Sequence, residues 1–379
     1  MITIGIMGAP VNNPNHGCMA LLYSLLSNLE EIGDFQYILF DWKYDAKSME
    51  RISKRIGVKR EQLLFSPFVM RTDFVRYIYH FFSYQKMKKN IKACDFIIDL
   101  SEGDSFSDIY GDFLYKGRTN IKRLVEQLNI PLILGPQTYG PFLKEENQIL
   151  AREVIEKAQL VFTRDYESKE LLDNWKIPSV LCQDLAFSLP NEEYAIPFTD
   201  KIKVGINVSS ILMNEKEIKD KKFHLKVDYK RYIETLTEEL LSKDIYEIYW
   251  ISHVNDDYSI HQKLFQQYPN THLIPIFVDP IEAKSCIAQM DIFIGARMHG
   301  TIAAYSTGIA CIPTSYSPKF KGMYQAFGYS VEVDLCSLDT TSATLKTMEY
   351  VQQYKKLSGS KEQGISWKST LKKWIGGKS

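Results

Sequence analysis

The sequence predicts an α/β protein built of two doubly wound, Rossmann-like domains facing each other across a cleft. Three observations predict it. The 379 residues exceed what one compact core usually holds. Short apolar runs alternate with helical patterns through both halves, as parallel sheets covered by helices require. A polar stretch at 190–201, carrying two prolines, separates the halves and reads as a linker. The expected domains are 1–190 and 201–345, followed by a helical tail at 346–379 that packs back on the first domain.

In the first half, apolar runs predict strands at 2–7, 36–40, 95–100, 131–134 and 160–162. Helical spacing predicts helices at 19–29, 121–128, 145–157 and 167–175 between them. The second half repeats the alternation. Strands are expected at 202–208, 247–251, 272–274, 291–294 and 311–314. Helices are expected at 229–241, 261–267, 281–289 and 301–306, with a last one at 367–375.

Composition narrows the function classes. With 46 Lys+Arg against 46 Asp+Glu the formal charge is zero, so there is no electrostatic footprint for nucleic acid. Hydrophobic residues at 45% and charged residues at 24% are globular values. The 23 tyrosines suit flat ligands such as sugar rings, and equally suit ordinary cores. Six cysteines, none in a C-x-x-C pair, read as free thiols of a reducing compartment. The N-terminus lacks the basic and apolar regions of a signal peptide, and no apolar run approaches the roughly 20 residues of a membrane span. A cytoplasmic protein is expected. The segment 68–92 mixes aromatics with six basic residues against Asp73 alone. It would suit the inner face of an anionic membrane as a peripheral contact, or simply cover the sheet as a helix.

In open α/β sheets, ligands bind beyond the carboxyl ends of the strands. After the strand at 291–294 comes Gly295-Ala-Arg297-Met-His299-Gly300-Thr301, opening a helix. Arg297 offers a planar fork for carboxylate or phosphate, His299 a proton near neutral pH, and the helix start at Gly300 and Thr301 its N–H groups. The bland alternative is a surface arginine and a capping histidine. Lys319, after the next strand, would add a second cation on the same rim, with Tyr316 beside it; it could equally be a solvated lysine. Ser209 and His253 end two further strands and could reach the same ligand.

The first half offers its own strand ends. Asn15 and Gly17 lie in the first loop, which has no G-x-G-x-x-G pattern. Glu102, Asp104 and Asp108 lie in a loop dense in carboxylates, fit to hold sugar hydroxyls or act as a base, or to be a plain polar turn. Gln137 and Tyr139 stand in a stiff loop that presents an amide and a hydroxyl. Arg164 could serve as a further anion clamp. No metal-binding pattern, Walker loop or G-x-S-x-G occurs, so no metal and no resident cofactor are implied.

The run from Ile294 to Ala304 with Tyr316 and Lys319 resembles the polysaccharide pyruvyl transferase family. So do Gly103–Asp108 with Tyr110-Gly111, Gly135–Pro141, Thr163–Asp165 with Ser168, and Asp184–Phe187. The likeness runs from the first loop to Gly328. It departs at Cys18, where an acidic residue often follows the glycine, and at Glu102, where another glycine is common. The resemblance implies a GT-B-like fold, phosphoenolpyruvate as donor, and a nucleotide- or lipid-linked sugar as acceptor, in cell-surface polysaccharide synthesis. On that reading His299 is the acid, Arg297 and Lys319 hold anionic groups, and Asp104 is a candidate base. Arg164, Ser209, His253, Gly300, Thr301 and Tyr316 would bind the donor. Asn15, Gly17, Glu102, Asp108, Gln137 and Tyr139 would bind the acceptor. The alternatives are a GT-B nucleotide-sugar glycosyltransferase or epimerase, and a non-catalytic saccharide-binding protein.

Overall fold

The structure, a computed structural model, describes residues 1–70, 80–214, 216, 218, 224–316, 324, 328–357, 359 and 367–377. By its contacts the chain forms two compact units. The first holds Met1–Asn13, Leu21–Leu185 and the C-terminal helix; the second holds Pro14–Ala20 and the chain from Ala186 through the turn Tyr354–Lys356.

The first unit is built on seven parallel strands: β1 (Ile2–Met7), β2 (Phe35–Asp41), β3 (Leu63–Pro67), β4 (Phe96–Asp99), β5 (Leu132–Gln137), β6 (Leu160–Thr163) and β7 (Val180–Leu181). Their order is β3-β2-β1-β4-β5-β6-β7, and every pairing is parallel. β4 and β5 are buried along their whole length, Asp99 and Gln137 included, as central strands of a sheet covered on both faces are. The helices are α1 (His16–Glu30), whose start through Ala20 counts with the second unit, α2 (Ala46–Ile56), α3 (Phe81–Lys92), α4 (Asp112–Gln127), α5 (Glu145–Lys157) and α6 (Tyr166–Asn174). α1 buries Leu21, Leu22, Leu25, Leu26 and Leu29, so it is apolar on more than one face. α2 is the opposite case. It is strongly charged, begun by Asp45, which accepts from the N–H groups of Lys47 and Ser48, and ended by Gly57 at φ 85°.

The second unit has six parallel strands: β8 (Ile202–Asn207), β9 (Tyr246–Trp250), β10 (His272–Leu273), β11 (Ile292–Gly295), β12 (Ala310–Ser315) and β13 (Val333–Asp334). Their order is β10-β9-β8-β11-β12-β13. The helices are α7 (Tyr229–Leu241), α8 (Tyr258–Gln267), α9 (Pro280–Ile287), α10 (Met298–Thr307) and α11 (Thr340–Gln352). Asp228, Asp279 and Asp339 cap α7, α9 and α11, each accepting a backbone N–H three residues on.

The stretch 190–201 has no regular element, but it is not loose chain. The Glu192 N–H donates to Ser285 Oγ, and Tyr194 meets Phe277 edge to face. Just before it, Lys284 Nζ donates to the Phe187 carbonyl. The tail beyond 345 divides: α11 counts with the second unit, and α12 (Trp367–Gly376) with the first. There Trp374 packs edge-on against Phe96, and Trp367 against Phe162.

Among the described residues no helix is long and apolar enough to cross a membrane. Of the basic aromatic segment 68–92, residues 71–79 lie outside the described ones; from Phe81 it is α3, which buries Met87 and Ile91. All six cysteines are free thiols.

In both sheets the strand order reverses once, between β1 and β4 in the first unit and between β8 and β11 in the second. At such a point the flanking loops leave in opposite directions and open a crevice, the usual ligand position of a doubly wound sheet.

Candidate active site

In the second unit, Asn207 closes β8 and ties three strand ends together. Its Nδ2 donates to the Ile251 carbonyl at 2.9 Å, and its Oδ1 accepts from the Arg297 N–H at 3.1 Å. The chain then turns into α10 with Arg297 as N-cap. The helix starts three residues before the expected 301, which corrects the place of the anion-favouring N–H groups. The Thr301 N–H already bonds the Arg297 carbonyl at 3.1 Å, and its hydroxyl bonds the Met298 carbonyl. The first-turn N–H groups are those of Met298, His299 and Gly300.

Arg297 is held by Asp257, its Nε at 2.9 Å from Oδ2 and its Nη2 at 2.7 Å from Oδ1. Burial opposes the guanidinium charge, but the bond to Asp257 outweighs it and drives the pKa higher. Asp257 is fully buried and also accepts from the Ser210 N–H. Its pairing leaves Nη1 of Arg297 unengaged by Asp257, on a side chain that is 14% exposed. Behind this pair His261 accepts the Val208 N–H on Nε2, which places its proton on Nδ1, toward Ser252 Oγ. Burial lowers the His261 pKa to about 4, so it is a neutral linker at pH 7.

His299 lies on the first turn of α10, half-buried. The segment Pro14–Ala20 runs against it. A methyl group at Gly17 would stand 2.3 Å from Nδ1 and 2.5 Å from Cγ of His299. Gly17 is therefore the floor under the imidazole, a different task from the acceptor contact expected of it. Asn15 turns the chain into α1, its Oδ1 accepting the Gly17 N–H at 3.0 Å, and forms a β-bridge with Val254. His16 is buried edge-on to His253, with ring centroids 6.1 Å apart, and its N–H donates to the His253 carbonyl. His253 is buried in turn, and its Nδ1 has no hydrogen-bond partner among the described residues. Burial, then His16, His299 and Arg297, hold its pKa well below the usual value. It is a buried, neutral ring.

Ser209 is fully buried, its N–H donating to Tyr229 Oη and its hydroxyl without a partner among the described residues. Gly300 is buried against Phe293. Tyr316 is half-buried, and Tyr316 and Tyr229 both act electrostatically on Arg297. Lys319 lies outside the described residues.

The first-unit candidates scatter. Arg164 is 2% exposed, bound through Nη1 to Asp184 at 2.5 Å and through Nε to Thr138 Oγ1. It belongs to a buried ion pair rather than to a surface clamp. Asp108 accepts from the N–H groups of Leu143 and Lys144 and from Asn147 Nδ2, so its carboxylate pins the loop before α5. Gln137 lies inside β5, donating from Nε2 to the Asp99 carbonyl, because the strand runs on three residues past the expected end. Tyr139 packs at 5.6 Å from the Phe106 ring and is 3% exposed. Neither presents a polar group to solvent, which corrects the stiff-loop expectation. Asp104 accepts from Tyr110 Oη at 2.7 Å, and Glu102 pairs with Arg118 Nη2 at 2.8 Å.

The first unit also contains an open hollow at its own switch point. Its walls come from Gly8–Pro10 after β1, Asp41 at the end of β2 and Trp42 after it, Asp99 at the end of β4 and Glu102 after it, and Arg118 and Lys122 on α4. Of these only Glu102 was singled out from the sequence. Asn207, Asp257, His261 and His16 in the second unit were missed as well. The signal available for Asp257 was a strand end followed by an Asn-Asp-Asp run. Among the described residues no group of three or more His, Cys, Asp or Glu could hold a metal ion.

Two such sheets, each with a switch-point crevice, define a class. Its fold is that of the UDP-GlcNAc 2-epimerase from Neisseria meningitidis solved with UDP-GlcNAc, at TM-score 0.58 and 15% identity over 100% of both chains. The S. aureus MnaA structure with UDP is similar at TM-score 0.60 and 12% identity, over 99% of this chain and 97% of that one. Phytolacca americana UGT2, solved with UDP-2fluoro-glucose and pterostilbene, reaches TM-score 0.53 at 11% identity, over 100% and 99%. These likenesses give the GT-B fold. The family model of polysaccharide pyruvyl transferases matches residues 15–318, and the chain belongs to that family. No curated protein sequence matches it.

Proposed function

We propose that the chain moves the pyruvyl group of phosphoenolpyruvate onto a saccharide and closes a cyclic pyruvate ketal over two of its hydroxyls. The observation that carries this reading is the β11–α10 turn in a chain of this family, where Arg297, the first N–H groups of α10 and His299 share one strand end. Phosphoenolpyruvate carries a carboxylate and a phosphate on three carbons, and needs such a compact set of donors.

His299, as imidazolium, gives its proton to the methylene carbon, which becomes the methyl group. Positive charge develops on the adjacent carbon. An acceptor hydroxyl bonds to that carbon and loses its proton to a base, for which Asp104 is the candidate. The bond from that carbon to the phosphate oxygen then breaks, its electron pair leaving with the phosphate, which takes the proton held by the base; a second hydroxyl bonds to the same carbon and returns its proton to His299, closing the ring. One phosphoenolpyruvate and one diol give one ketal and one inorganic phosphate. Arg297, oriented by Asp257, holds the anionic groups and stabilises the departing phosphate, with Lys319 as the second cation. The acceptor is a nucleotide- or lipid-linked sugar, and the setting is the cytoplasmic stage of cell-surface polysaccharide synthesis.

The epimerase and glycosyltransferase neighbours, solved with UDP or UDP-sugars, support the competing reading of a nucleotide-sugar enzyme. Phosphate release decides between them. With phosphoenolpyruvate and a saccharide acceptor, inorganic phosphate should appear, and His299→Ala should slow it by about 10²–10⁴. Release of a nucleoside diphosphate from a UDP-sugar, with none of phosphate from phosphoenolpyruvate, would replace this reading with the other.

A further inference from the structure

The hollow of the first unit has a chemistry of its own. Its floor is two loops in close contact. Gly8 sits at φ 65°, and a methyl group there would lie 2.4 Å from the Ser101 nitrogen. Both cations of the lining are matched within it. Lys122 Nζ is 3.1 Å from Asp99 Oδ1, with both side chains nearly fully buried, and Arg118 meets Glu102 at 2.8 Å. Asp41 is not matched by a described cation. Its Oδ2 accepts the Val11 N–H and its Oδ1 the Trp42 N–H, both backbone donors. Beside it Trp42 is 51% exposed, held edge-on against Phe68 with ring centroids 5.0 Å apart.

A carboxylate with spare lone pairs next to an exposed flat ring fits one ligand class well. Hydroxyls donate to the carboxylate, while an apolar C–H face lies on the indole. A phosphate or carboxylate would meet the Asp41 charge with both lining cations already occupied, and would be repelled. We infer that this hollow is the subsite for an uncharged pyranose ring of the acceptor. The word acceptor rests on the transfer reaction proposed above; the sugar chemistry does not.

The test is saturation-transfer NMR on the full chain with the methyl glycosides of glucose, galactose and mannose, alongside glucose 1-phosphate. At least one glycoside should bind, more tightly than the phosphate ester. Trp42→Ala should weaken it by about tenfold, and Trp42→Phe should largely restore it. Trp42 is exposed, so the fold should survive both changes; Asp41→Asn, at a buried site, is a supporting variant only. No binding by any glycoside, binding that Trp42→Ala leaves intact, or tighter binding of the phosphate ester would each overturn the inference. The readout needs no phosphoenolpyruvate. Glycoside binding without phosphate release would sink the transferase reading and leave the subsite standing. Phosphate release without Trp42-dependent binding would do the reverse.

Discussion

An alanine methyl at Gly17 has nowhere to go but into His299. Gly17→Ala should therefore displace the imidazole while leaving α1 as helical as before. Misplacing a catalytic group by about 1 Å costs on the order of 10²-fold in rate, so kcat should fall by that order with the melting temperature little changed. Equal loss of kcat and of stability would mean that Gly17 serves folding only. Arg164 is the converse residue. Removing it leaves Asp184 charged and buried, so Arg164→Ala should cost about 3–5 kcal/mol in denaturant unfolding. A variant of native stability that merely binds phosphoenolpyruvate less tightly would restore the anion-clamp reading. The sequence displays Arg164 as a cation in a strand-end loop; it does not display that Asp184, 20 residues on, is folded against it. Asp257 and Asn207 were hidden for the same reason, since their partners arrive only when separate strand ends meet.

Among the elements, α9 carries a buried lysine that no anion compensates in the described structure. Burial brings the Lys284 pKa down to about 7 from 10.5. Between those values the unfolded chain keeps a proton that the folded chain has released. Stability from this group is therefore lowest below pH 7, where both states are charged, and rises with pH up to about 10. In urea titrations from pH 7 to 9.5, wild type should gain stability with pH relative to Lys284→Met. Parallel profiles would show that the Phe187 carbonyl keeps Lys284 charged throughout. The elements themselves were unevenly legible. α5 and α7 match the expected ranges residue for residue, because their apolar period is clear and their neighbours are strands. α2 was passed over, and α11 was read only as part of a helical tail from 346, despite capping aspartates, because their apolar faces are short and charges or threonines dominate them. β3 and the two-residue β13 lie at or near sheet edges, where little apolar sequence is needed to hold a strand.

Taken whole, the molecule repeats one device. Both units place β1 or its counterpart β8 third in a parallel sheet, and both open a crevice where the order reverses. That much followed from alternation along the chain, as did the turn bearing Arg297 and His299. What did not follow is the division of labour at the strand ends. In the second unit the polar residues converge on one turn, whereas in the first several candidates turned inward to brace loops. The hollow beside them is lined by residues that are ordinary in sequence and distinctive only together.

The most direct measurement is mass spectrometry of candidate saccharides, free, nucleotide-linked and lipid-linked, after incubation with the full chain and phosphoenolpyruvate. The account predicts one acceptor that gains the mass of a pyruvate ketal, with one inorganic phosphate released per ketal and both products formed about 10²–10⁴-fold more slowly by His299→Ala. A saccharide that gains a hexose from a nucleotide sugar instead, or an acceptor modified equally well by His299→Ala, would contradict it.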